Sequence, residues 1–136
     1  MEAKSLIKKE YGTILKLWLK AFWARFGESA AYFQKEADQF TNPFGFYIEE
    51  SFRNILQGLC EDFYWDNFNP SLDKLAQIKA VQEKVPSIAA SFFLDLKKVI
   101  RETLGERIIS EYGVSSLLEL EDKINSLLIR FMDYYQ

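Results

Sequence analysis

Nucleophilic and general-base chemistry needs side chains that this chain supplies sparingly. It contains no histidine and one cysteine, Cys60. Serine–histidine and cysteine–histidine nucleophile systems are therefore excluded. So are histidine-bearing zinc sites, the Glu-x-x-His di-iron pattern of helical bundles and a histidine-ligated haem. A thiol becomes reactive beside cations, whereas Glu61 and Asp62 follow Cys60. Cys60 reads instead as a small buried hydrophobe on a helix. The oxygen-rich cluster Asp62, Asp66, Asn67, Asn69 and Asp73 lacks the alternating ligands and central glycine of a calcium loop. Glu49 and Glu50 are adjacent on a helix, point apart, and do not make a facing acid–base pair. No phosphate-cradling glycine loop occurs. The expectation is a protein that is not an enzyme and needs no metal or cofactor.

What remains is aromatic. Phe, Trp and Tyr make up 16% of the chain. Nine of them fall in one stretch: Phe40, Phe44, Phe46, Tyr47, Phe52, Phe63, Tyr64, Trp65 and Phe68. The last four stand in a connection between helices, where polar residues are usual. They either fold back as a lid on the core or dock a partner. The lid is the expected arrangement, because a wet apolar patch of that size is uncommon on a monomer.

The elements that must position these residues are helical throughout. Tyr11, Ile14, Leu15, Trp18, Phe22 and Phe26 recur at three- and four-residue steps, which predicts one long amphipathic helix over 5–26 ended by Gly27. Lys16 and Lys20 occupy its wet face. A short helix is expected over 29–40. All three prolines stand where a helix should begin, with Asn42 before Pro43 and Asn69 before Pro70 as capping side chains. Helices are predicted over 43–61, 70–83 and 86–111. Gly113 should close the fifth in a left-handed cap. Ser116 and Glu119 form a capping-box pattern that opens a sixth helix over 116–134. No strand pattern competes. The fold class is all-α, a single compact domain of about six helices, which 136 residues can fold around a real core.

The C-terminal helix carries Leu117, Leu120, Ile124, Leu127, Phe131 and Tyr134 at heptad-like steps. Leu118, Leu128 and Tyr135 widen the stripe, so one side could pack on the domain while the other meets a second copy in a twofold homodimer; the alternative is that the whole stripe is core. A net charge of −3 argues against a nucleic-acid surface. The longest apolar uncharged run, Val85 to Leu94, is too short to span a bilayer. Lys16 and Lys20 break the N-terminal apolar run, unlike a signal peptide. With a lone thiol, a cytoplasmic location is expected.

Three short segments together resemble the N-terminal domain of RsbR-type RsbT co-antagonist proteins of bacterial stress signalling. They are Asn42, Pro43 and Gly45; Ala80, Val81 and Gln82 flanked by Lys79 and Glu83; and Lys97, Ile100 and Arg101 at the end of an apolar helix. The likeness covers about residues 10–104. It implies a sensory or regulatory module that acts through a protein partner, with related regulators carrying a haem-free, globin-like, dimeric helical domain. In that family the domain usually precedes a STAS domain. This chain ends at Gln136 before one, which points to a stand-alone member. The motif residues also have structural readings: Asn42 and Pro43 initiate a helix, Gly45 admits a close neighbour, and Lys97 and Arg101 pair with carboxylates. The rival functional reading is a carrier whose aromatic helices enclose a pocket for a small apolar ligand.

Overall fold

Proline begins two of the helices as its chemistry predicts, because its missing N–H costs nothing at the first helical position. The computed structural model describes residues 3–25, 43–78 and 86–135. They form an all-α bundle: α1 (Lys4–Lys9), α2 (Tyr11–Ala24), α3 (Pro43–Leu59), α4 (Asn69–Gln77), α5 (Pro86–Tyr112) and α6 (Val114–Tyr135). A 3₁₀ turn, Trp65–Asn67, precedes α4. The expected helix over 29–40, Asn42, Lys79 and Gln82 lie outside the described residues.

α5 is the spine. At 27 residues it is about 40 Å long. It packs along α6 and α2 and touches α1, while α4 bridges α3 and α6. The core is a chain of rings. Trp18 of α2 stacks on Phe52 of α3 with centroids 3.8 Å apart. Phe92 of α5 meets Phe22, Phe52, Phe93 and Phe131. Four helices therefore share one aromatic seam, and Trp18 Nε1 anchors it by donating to the Phe92 carbonyl at 2.7 Å. These rings fill space against one another.

The single helix expected over 5–26 is broken. Glu10 leaves helical geometry at φ −104°, ψ 21°, which separates α1 from α2. The break is held from outside the segment: Arg107 reaches the Glu10 carboxylate at 3.5 Å, and the Tyr11 hydroxyl donates to the Arg53 carbonyl at 2.8 Å. It lets Leu6 and Ile7 join the same core as Ile14 and Trp18. Tertiary contacts override a periodicity that runs through the break.

The α5–α6 junction follows the sequence in one respect and departs in another. Gly113 has φ +94°, the left-handed conformation that glycine adopts without a Cβ clash. The chain then turns so sharply that α6 begins at Val114, two residues before the expected capping box. The Ser116 hydroxyl, expected to open α6, instead donates to the Tyr112 carbonyl at 3.0 Å and caps the end of α5. At α4 the expected cap is likewise redirected. Asn69 is the first helical residue, and its Oδ1 accepts from Arg130 Nε at 3.2 Å. α4 also ends earlier than expected, with Ile78 extended at ψ 118° and packed on the core.

Candidate functional site

The four aromatic residues before α4 divide by side. Phe68 is fully buried, and Phe63 and Trp65 pack around it with centroids 4.8 and 6.5 Å away. The Phe68 ring presses on Gly58 of α3, where an added Cβ would come within 2.6 Å of its Cε1. Arg130 of α6 lies over the Trp65 ring at 4.8 Å, a cation–π contact that ties this knot to the last helix. Tyr64 departs from the lid arrangement and is 62% exposed. Its backbone is extended at φ −121°, ψ 129°, so its side chain points opposite to those of Phe63 and Trp65.

The stripe considered as a seam on α6 is occupied within the chain. Leu117, Leu120, Ile124, Leu127 and Phe131 are all buried, covered by α5 and α4, and only Tyr134 reaches the surface. This corrects the self-association expectation for those residues, since a heptad-like step describes a helix packed on its own domain equally well.

Of the family-like residues, Lys97 and Arg101 lace α5 to α6. Arg101 makes a bidentate pair with Glu121, at 2.9 and 2.7 Å. The Glu121 side chain is 9% exposed and that of Arg101 60%, so the guanidinium pairs with a carboxylate that the fold has largely desolvated. Lys97 Nζ donates to Asn125 Oδ1 at 2.9 Å. Gly45 is buried in α3 and Pro43 begins that helix.

Cys60 is half-buried, and burial pushes its thiol up against the opposing pull of Lys8. A raised pKa leaves less thiolate at neutral pH. Asp62 accepts from Lys4 at 2.6 Å, a bond that holds its carboxyl below the usual range. Glu49 pairs with Arg53 one turn away at 2.8 Å. Among the described residues, no group of three or more His, Cys, Asp or Glu side chains is placed to hold a metal ion. No helix among them is long and apolar enough to cross a membrane.

Sequence reasoning took Leu118 only as widening the α6 stripe and missed the rest of the outer face of the α5–α6 hairpin. There Ile109, Val114 and Leu118 are 42%, 55% and 50% exposed. Together with Arg101, Gly105, Glu106 and Leu117 they line an open groove of about 330 Å³. Further along the hairpin, Leu94 and Ile129 are 52% and 65% exposed. The signal was present in the sequence, since Leu118 and Ile129 fall off the heptad stripe. No family model matches the chain, and neither a curated protein nor a solved structure matches it.

Proposed function

We propose that this protein is a non-enzymatic regulatory or sensory module that works by protein–protein contact, of the kind implied by its resemblance to the N-terminal domain of RsbT co-antagonists. One observation carries the reading: five large apolar side chains stand exposed along the outer face of one hairpin, apart from the aromatic core, whose described rings pack on one another. Isolated exposed apolar residues are ordinary, but a set aligned on one face marks an interaction surface. Of the side chains weighed for chemistry, Glu49 and Asp62 are engaged in ion pairs and burial raises the Cys60 thiol, which supports contact over catalysis.

A photo-reactive amino acid at position 118, expressed in the native cell, tests it. Irradiation should yield a discrete protein adduct at 118 and none at position 57, an exposed site on α3. Equal labelling at both positions, or none at either, would contradict the proposal.

A further inference from the structure

We infer that a cleft at the α5–α6 corner binds a small zwitterion with an apolar tail, the chemistry of a free aliphatic amino acid. The cleft is separate from the outer face of the hairpin, so this inference goes beyond the interaction reading and does not depend on it.

Three helix ends meet there. α1 begins at Lys4, α3 ends at Leu59 and α5 ends at Tyr112. Side chains from the first turns of α6 complete an open cavity of about 280 Å³. Its floor is apolar, made of Ala3, Leu59 and Leu120, all buried. Its rim is polar, made of Lys4, Tyr112, Ser116, Glu119 and Lys123. Pockets for drug-sized ligands run to about 300–1,000 Å³, so this one suits a metabolite of amino-acid size rather than a nucleotide. At about 100° per residue, Ser116, Glu119, Leu120 and Lys123 share one flank of α6, while Val114, Leu118 and Ile129 share another.

The rim carries both signs of charge, and the fold leaves several of its groups unengaged. Lys4 is fixed at one edge by Asp62 at 2.6 Å. Lys123 acts on Asp62 through space and makes no ion pair among the described residues. Glu119 and the Tyr112 hydroxyl likewise have no partner among them. Glu119 and Lys123 stand one turn apart in the order that favours a helix pair, yet they remain apart. The Ser116 hydroxyl gives its proton to the Tyr112 carbonyl at 3.0 Å, so toward the cleft it offers only lone pairs.

These groups sort the ligand. Lys123 and the Tyr112 hydroxyl donate, and together they suit a carboxylate. Glu119 and Ser116 Oγ accept, and together they suit an ammonium. A plain anion would face Glu119, and a plain cation would face Lys4 and Lys123. A zwitterion meets both signs at once, and its tail covers Leu59 and Leu120 and takes their remaining area from water.

Amide chemical shifts of the isotopically labelled chain, titrated with leucine, isocaproate or isoamylamine, test the assignment. Leucine should give saturable shifts grouped at Leu59, Tyr112, Ser116 and Lys123. Isocaproate lacks the ammonium and isoamylamine lacks the carboxylate, and each should bind about tenfold more weakly. Glu119 and Lys123 are exposed, so Glu119→Gln and Lys123→Gln should fold as wild type does. Each should weaken leucine binding about tenfold, whereas Lys98→Gln, which removes a charge from α5 outside the cleft, should leave it unchanged. The inference is overturned if leucine gives no saturable shift, if either fragment binds as tightly as leucine, or if the two cleft variants bind it no more weakly than Lys98→Gln. None of these outcomes bears on the adduct at position 118, which tests the interaction reading alone.

Discussion

Trp18→Ala should lower the unfolding free energy by about 3–5 kcal/mol, the range for truncating a large, fully buried aromatic residue. Trp18 is 0% exposed, stacks on Phe52 at 3.8 Å and donates to the Phe92 carbonyl at 2.7 Å. Its removal opens a cavity where α2, α3 and α5 meet and leaves Phe52 without its stacking partner. Domains are commonly stable by only about 5–15 kcal/mol, so this substitution takes a large share of the total. Urea unfolding followed by far-UV circular dichroism reads it as a fall in midpoint at nearly constant slope. Trp18→Phe keeps most of the ring and loses the hydrogen bond, and should recover more than half of the loss. A midpoint unchanged in Trp18→Ala would mean that the aromatic seam is not the centre of the core.

The second large effect is a reversal of sign at Gly58. In a helix interior, Gly→Ala ordinarily stabilises by roughly 0.5–1 kcal/mol, because alanine has less freedom to lose. At Gly12 in α2 nothing lies within 4 Å of an added Cβ, so Gly12→Ala should follow that rule. At Gly58 the same atom would lie 2.6 Å from Phe68 Cε1 and 2.8 Å from Cζ. Phe68 cannot swing aside, being enclosed by Phe63 and Trp65. Gly58→Ala should therefore destabilise by about 1–3 kcal/mol, as overpacking does. Thermal melts of the two variants side by side would show shifts in opposite directions. A gain at Gly58 would mean that the Phe68 ring is not seated as described.

The parts of the fold written in local chemistry were legible from residues alone. Proline without an N–H and glycine with positive φ act at their own positions, so the starts at Pro43 and Pro86 and the turn at Gly113 could be placed. The break at Glu10 could not, because what meets it lies far off in the chain: the Arg53 carbonyl that accepts from Tyr11 and the core that takes up Leu6 and Ile7 beside Ile14 and Trp18. The hydroxyl of Ser116 and the amide of Asn69 each had two candidate partners, and only the folded chain brings Tyr112 O and Arg130 within reach. The same limit governs the candidate site. Periodicity shows that α6 has an apolar side and is silent on what covers it. It put the seam on Leu117, Ile124 and Phe131, which the domain itself buries, took Leu118 only as widening that stripe, and passed over Ile129, which the fold leaves bare. Lys97 and Arg101 drew notice as family-like positions, yet their visible work is to hold the hairpin in register. That role also fixes which charges and which apolar ends its outer face displays.

The central claim is that α6 has one side given to the fold and one given to contact. Leu118→Glu and Ile124→Glu, six residues apart on the same helix, test it most directly. Both are melted, and both are then tested in the native cell for a protein adduct with the photo-reactive residue placed at position 114. The account predicts that Ile124→Glu abolishes the cooperative transition, because a carboxylate is forced into a site that is 0% exposed. It predicts that Leu118→Glu melts within about one degree of wild type, as surface substitutions do, and no longer gives the adduct. A Leu118→Glu protein as unstable as Ile124→Glu, or one that gives the adduct as wild type does, would contradict it.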